Sequence, residues 1–189
     1  MEENHSQEFL IHKQIILSDA MNVWLLVLLF FFLYFWVRLV LNEAIFIPLP
    51  ISTIRKMLKL AKVNKKDLLY DLGAGDGRVV IIAAKEFGCK AVGIERSALL
   101  AAICRFRIRR AGLQDKIKII EKNYFDVNLS RATVITTYLS KRQNEKLAPK
   151  LKKELRKGTR IVSASHVFPG LKLIKKIKTG HFYTYLYKI

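Results

Sequence analysis

The sequence is poor in three things, and each scarcity closes off a class of protein. Cys89 and Cys104 are the only cysteines in 189 residues, too few for a disulfide framework or for a zinc site built from four thiolates. The main domain therefore reads as one from a reducing compartment, and no metal is expected. Acidic residues number 15 against 34 Lys plus Arg, a net charge of +19. That imbalance predicts attraction to anionic surfaces, whether phospholipid headgroups, nucleic acid or acidic proteins. No internal repeat or low-complexity tract is present, so repeat architectures are excluded.

What is abundant is apolar sequence, 51% of the chain, and much of it lies in one run. Residues 20–41 read AMNVWLLVLLFFFLYFWVRLVL. As a helix rising about 1.5 Å per residue, this segment spans roughly 33 Å, the thickness of a bilayer's hydrocarbon core. Trp24, Tyr34 and Trp36 supply rings suited to the interfaces, and Arg38 can reach back to the headgroups. A buried core helix is rarely apolar on all faces for this length, and a signal peptide would begin with basic residues rather than MEENHSQEF. The expected organisation is an N-terminal tail (1–19), one transmembrane helix (20–41) and a domain over 46–189. Lys13 stands nearly alone before the run, whereas Arg38, Arg55, Lys56, Lys59, Lys62, Lys65 and Lys66 follow it. The positive-inside rule puts the C-terminal domain on the cytoplasmic side, or on the matrix side of a mitochondrial membrane.

From Ile51 onward, helix-like and strand-like segments alternate. ISTIRKMLKLAKV has helical spacing, DLLYDL is a short apolar run, RVVIIAAKEF a helix closed by Gly88, and KAVGIE a second strand. A further helix ends before Gly112. KIKIIE, ATVITTYL and RIVSAS read as three more strands, with a helix over KRQNEKLAPKLKKELRKG that Pro149 is expected to kink or delay. The tail alternates apolar and polar residues around Lys178, Thr179 and Gly180, which predicts two strands and a tight turn. The architecture implied is α/β: a doubly wound, mostly parallel sheet finished by an antiparallel hairpin.

The chemistry concentrates in YDLGAGDGR, residues 70–78, directly after the first strand. A dinucleotide loop would read G-x-G-x-x-G. Gly73 and Gly75 fit that pattern, but the next glycine, Gly77, comes one place early and Arg78 holds the third-glycine position. Asp71 and Asp76 also put negative charge where a pyrophosphate would lie. An ammonium and a sulfonium would be welcome there, and S-adenosylmethionine carries both. Asp71 is expected to attract its ammonium, and Gly73, Gly75 and Gly77 to let its amino-acid portion approach the backbone. Glu95 ends the second strand, 24 residues after Asp71, where a carboxylate can accept from both ribose hydroxyls. Asn123 and Tyr124, after the third strand, stand at the level of the adenine, Asn123 as a reader of the base edge or as an ordinary turn residue.

YDLGAGDGR, VGIE, NYFDVNLSRATVITTYL and the preceding IPLPISTIRKMLKLAKV together resemble the membrane-anchored, seven-strand protein lysine methyltransferases. Mitochondrial members of that family methylate the ATP synthase c-subunit and the adenine nucleotide translocase. The likeness covers nearly all of residues 46 to 189. It implies a Rossmann-like class I methyltransferase fold, S-adenosylmethionine as cofactor and a lysine ε-amine of a membrane-associated protein as acceptor. Relatives carry a Thr between the two prolines, where this chain has Leu49.

In such a sheet the cofactor's methyl group should face the end of the fourth strand, at the switch point between strands one and four. Tyr138, at that end, is expected to shape the acceptor channel and orient the amine, or else to pack there as an ordinary aromatic. Lysine's ordinary pKa is about 10.4, and desolvation beside a sulfonium lowers it, so no strong base is required. No NPPY or DPPY motif follows the fourth strand, which argues against methylation of a nucleobase amine. The eleven basic residues between Lys150 and Lys188, against Glu154 alone, read as a solvated face or as one held against anionic lipid. An RNA or small-molecule methyltransferase, and a catalytically silent cofactor-binding module, are the alternatives.

Overall fold

The computed structural model describes residues 2–40 and 46–189, and the chain falls into two units, Met1–Ile45 and Phe46–Ile189. The described residues of the first form one helix, α1 (Glu2–Val40). Its segment Asp19–Val37 is 19 residues long and apolar enough to cross a membrane, and none of it is buried. Its apolar side chains point in every direction around the axis, so no single face seeks a protein core. Trp24 and Phe30, for instance, are 68% and 67% exposed. Leu41 and the side chain of Arg38, both assigned to the expected span, lie outside the described residues.

The second unit begins with α2 (Ile51–Leu60) and continues as β1 (Leu68–Leu72), α3 (Arg78–Glu86), β2 (Lys90–Glu95), α4 (Ala98–Arg110) and β3 (Ile117–Glu121). A 3-10 turn at Tyr124–Asp126 precedes β4 (Val134–Thr137), α5 (Lys141–Glu154), β5 (Arg160–Ala164), β6 (Leu173–Thr179) and β7 (Phe182–Lys188). The seven strands form one sheet in the order β3-β2-β1-β4-β5-β7-β6, parallel from β3 to β5 and antiparallel at β7 and β6. This is the doubly wound sheet with a terminal hairpin that the alternation predicts. Its switch point lies between β1 and β4, where Asp71 sits opposite Thr136 and Leu72 opposite Thr137.

Because the central strands are covered on both faces, successive residues enter opposite cores. Leu69, Val134 and Val162 pack with Ile54, Met57 and Leu58 of α2, Val80 and Ala83 of α3, and Cys104 and Ile108 of α4. Tyr70, Leu72, Ile135 and Ile161 pack on the other face with Leu129, and with Leu147 and Leu151 of α5.

Two local expectations are corrected. Pro149 does not delay α5, which starts at Lys141 and runs through it to Glu154. Pro149 and Glu145, whose carbonyl the missing N–H leaves free, are both on the exposed face, where water replaces the lost bond. The hairpin turn is Gly180–His181, because Thr179 still pairs with Phe182. Gly180 has φ 71° and takes the first loop position, which a type II′ hairpin reserves for glycine.

At the N-terminal end of the sheet, Asp67 joins three strands. Thr133 Oγ1 donates to its Oδ1 at 2.7 Å and Asn64 N donates to its Oδ2 at 2.9 Å. Arg160 of β5 forms an ion pair with it and also donates to the Ala61 carbonyl at 2.6 Å. Asp67 is 6% exposed, so removing its cation leaves a buried charge held by neutral donors. Arg160→Met is expected to lower stability by about 3 kcal/mol in urea unfolding. Adding Asp67→Asn should recover part of that loss.

Candidate active site

Every sequence-identified residue of the candidate site lies on or just beyond the C-terminal ends of β1 to β4. At the end of β1 the chain turns sharply, and the amides of Gly73 and Ala74 both donate to the Ile94 carbonyl, at 2.9 and 3.0 Å. Gly73, Gly75 and Gly77 have φ of 82°, 57° and 79°, backbone that side chains rarely adopt. Their surroundings differ. A Cβ on Gly73 would stand 3.3 Å from Leu139 Cδ2 of the β4 end, one on Gly75 would strike the ring of Phe46, and one on Gly77 would strike Cys104 Sγ of α4. Gly77 thus lets α3 and α4 approach each other, while Gly73 and Gly75 thin the wall at the rim.

Asp71 is 4% exposed and accepts a hydrogen bond from Thr136 Oγ1 at 2.7 Å across the β1–β4 pair. Burial pushes its carboxyl up to about 7 against the lowering pull of that bond, and the charges of Glu95 and Asp76 add to the rise. A cation beside it would restore the ionised form. Asp76 serves differently from the sequence expectation. Arg78 Nε and Nη2 donate to its carboxylate at 2.9 and 2.8 Å, and Arg107 of α4 pairs with it too. Burial works to raise Asp76, but these partners outweigh it and hold the carboxyl below its usual range. Its two arginine partners thus balance most of its charge within the protein, and what remains adds to the rise at Asp71.

Glu95 braces the loop. Its Oε2 accepts from Gly75 N at 2.9 Å and its Oε1 from Ser97 N at 2.8 Å, and each oxygen retains a lone pair for a ribose hydroxyl. Tyr124 is half-buried, its phenol pushed up to about 12 by burial, with Arg96 lowering it and Glu95 raising it. Its ring lies 4.8 Å from that of Phe125. Asn123 caps the 3-10 turn, its Oδ1 accepting from Phe125 N at 3.1 Å. The turn role accounts for its oxygen. Tyr138 follows β4 and packs against Phe182 of the hairpin, ring centres 5.9 Å apart.

Three contributors were not identified from sequence. Phe46 covers Gly75, and no local pattern marks it. Thr136 lies within ATVITTYL, and the pairing register that sets it opposite Asp71 carries no local mark. Arg78, the misfit at the third-glycine position, donates through Nη1 to the Leu49 carbonyl at 2.9 Å. Leu49 itself is buried, so the polar contact at this position is made by its backbone carbonyl.

A sheet of this order, with a bare-backbone loop at its switch point and a buried acid awaiting a cation, defines a class I S-adenosylmethionine-dependent methyltransferase. Residues 71–175 match the ANTKMT methyltransferase domain, and the chain belongs to that family. It is similar to a protein-lysine N-methyltransferase of Saccharolobus islandicus (strain REY15A), 41% identical over 149 residues, covering 76% of this chain and 92% of that protein. It is also similar to the ATP synthase c-subunit lysine N-methyltransferase of Xenopus laevis, 30% identical over 125 residues. That match covers 66% of this chain and 54% of the relative, about half its length. A solved RNA methyltransferase from Salinibacter ruber, in complex with S-adenosyl-L-homocysteine, superposes with a TM-score of 0.74 at 36% identity. It covers 76% of this chain and 94% of that one.

Asp71 supplies a two-sided expectation. Its folded-state pKa lies above the ordinary 3.8, so its contribution to stability is full below that value and lost as pH rises through about 7. Asp71→Asn should therefore stabilise the cofactor-free protein at pH 8, on the order of 2–4 kcal/mol, with the gain vanishing towards pH 4. The same change should weaken S-adenosylmethionine binding about tenfold or more, the scale of a lost charge-assisted bond. For the unaltered protein, affinity should fall as pH drops below about 7. Thermal melts and titration calorimetry across pH check both.

Proposed function

We propose that the chain is held in a membrane by the apolar part of α1 and methylates lysine ε-amines of a membrane-associated protein. Its domain then works on the cytoplasmic or mitochondrial matrix side. The observation that carries the acceptor assignment is the 41% identity, over 92% of its length, to a protein named protein-lysine N-methyltransferase. The names of the vertebrate and nematode relatives and the exposed apolar helix support a membrane-protein acceptor. The basic residues clustered after the apolar run support the orientation.

When bound, S-adenosylmethionine supplies a methyl group on a positively charged sulfur, open to in-line attack by an amine. Asp71 would hold the cofactor's ammonium, Gly73 and Gly75 would let its amino-acid portion lie against the backbone, and Gly77 would keep α3 close to α4. Glu95 would hold the ribose hydroxyls, while Asn123 and Tyr124 line the adenine side. Tyr138 would orient the acceptor amine, its ring fixed by Phe182. The amine reaches the half-buried strand end in a setting that disfavours its protonated form, so the proton leaves to solvent before transfer. Alignment is then the protein's main contribution.

RNA is the competing acceptor, favoured by the name of the Salinibacter ruber neighbour and by the chain's net charge of +19. Incubating the full chain with membranes, RNA and methyl-labelled S-adenosylmethionine separates the two. Label recovered as methyllysine in a membrane protein is the expected result, and label in RNA overturns it. Tyr138→Ala should lower kcat/KM about 10–100-fold while cofactor affinity stays within a factor of two, the pattern of misplaced acceptor rather than lost cofactor. Tyr138→Phe should retain the packing and separate the ring's contribution from that of the hydroxyl.

A further inference from the structure

Helix α4 is apolar on two opposite sides. Its inner stripe, Ala101, Cys104 and Ile108, is buried against the sheet. A helix of this kind should turn polar side chains outward. Instead Leu99, Ile103 and Phe106, spaced i, i+4 and i+7, form a second stripe on the opposite side, and are 71%, 39% and 59% exposed. Spaced as they are, all three lie within about 60° of arc. Exposed Arg109 and half-buried Arg107 flank this stripe, Arg110 ends it, and the helix contains no acidic residue.

We propose that this outer face of α4 docks on an anionic lipid surface, with Leu99, Ile103 and Phe106 entering the headgroup–acyl boundary and Arg109 and Arg110 meeting lipid phosphates. An apolar stripe flanked by cations is the pattern of helices that lie in the plane of a membrane interface. Charge chooses lipid over a second copy of the chain, because two such faces would bring arginine against arginine, at a net charge of +19 per chain. The inference extends the membrane reading given above and rests on it. It adds a consequence: Ser97, the N-cap of α4, stands two residues after Glu95, and Arg107 pairs with Asp76 of the glycine loop. The docked helix is thus wired to the cofactor rim and would hold that rim beside the bilayer where a membrane-embedded acceptor presents its lysine.

The test labels Ala102, exposed beside the stripe, as Ala102→Cys carrying an environment-sensitive fluorophore. The control is Lys153→Cys on the exposed side of α5, on the opposite face of the sheet. The native cysteines are buried, with thiols pushed up by burial to about 11 for Cys89 and about 12 for Cys104, so they do not compete for label near neutral pH. The full chain is reconstituted into phosphatidylcholine vesicles with and without phosphatidylglycerol, and quenching by lipid-borne nitroxides is read.

Position 102 should be quenched strongly in the anionic vesicles and weakly in the neutral ones, and position 153 in neither. Arg109→Ala and Arg110→Ala should each lower the docked-to-free ratio about fivefold, the effect of one basic residue at an anionic surface, and added salt should lower it further. Replacing Leu99, Ile103 and Phe106 together by Ser should abolish quenching at 102 while cofactor affinity, read by calorimetry, shows the domain still folded. Equal quenching at 102 and 153 in anionic vesicles overturns the proposal. So does protection of 102 that follows protein concentration in detergent, which would mark a second copy, or protection that needs an acceptor protein. A chain that floats with vesicles yet leaves 102 exposed refutes α4 docking alone, whereas a chain that does not float refutes the membrane reading as well.

Discussion

The site depends on keeping one carboxyl group out of water at the edge of a parallel sheet. Asp71 sits at the switch point, where β1 has paired with β2 on one side and β4 on the other, so neighbouring backbone closes over it. The hydrogen bond it accepts from Thr136 is neutral and does not offset the cost of burying a charge. The result is an acid poised near neutrality in the absence of ligand, unlike Asp67 and Asp76, which are each paired with arginine. The three acids share residue type and burial class. What distinguishes Asp71 is the missing cation, and a binding site for one follows from that.

The glycine loop and Glu95 can be understood as what Asp71 requires around it. Side chains at positions 73 and 75 would run into Leu139 and Phe46 at the rim, and a loop without bracing would not hold its shape. Glu95 provides the brace by accepting from both the Gly75 and the Ser97 amides, which ties the loop to β2 and to the start of α4. An acid in that place also adds to the rise that burial imposes on Asp71. One residue therefore both shapes the loop and bears on the charge beside it.

The alternation of elements and the placing of Asp71 and Glu95 at strand ends could be read from the sequence because they follow from short-range signals: apolar runs, glycine positions and the spacing between two acids. The switch point then follows from the doubly wound fold that the alternation implies. What could not be read depends on which distant side chains come together. Asp76 looks like Asp71 in the sequence, and only the approach of α4 brings Arg107 to it. Asn123 offers the same amide whether it reads a base or caps a turn, and the cap claims its oxygen. Pro149 signals a break in isolation, yet the exposed side of α5 absorbs it. Phe46 carries no local mark, and its contact with Gly75 arises only when the segment before α2 folds back across the rim.

That segment shows how the domain's first residues are committed to the site. The Leu49 carbonyl is held by Arg78, which itself clasps Asp76, so the approach to α2 and the start of α3 share one guanidinium. At the first turn of α2, Thr53 reaches the Thr179 carbonyl, and Thr179 shares a hydrogen bond with Thr184, both threonines being buried in the hairpin. Phe182, at the same hairpin tip, meets Tyr138. On the proposed reading Tyr138 guides the acceptor, and it is braced by a hairpin that α2 clamps from beneath. The loop after β5 closes the neighbouring side. Ser165 is held there at φ 72° by its amide bond to the Tyr183 carbonyl, while Asn144 donates to the carbonyl of His166 and to Ser163 Oγ. A non-glycine residue in that conformation costs of order 1–3 kcal/mol and persists where its surroundings over-determine it. On the proposed reading, walls fixed this firmly offer an acceptor one shape and do not mould themselves to it.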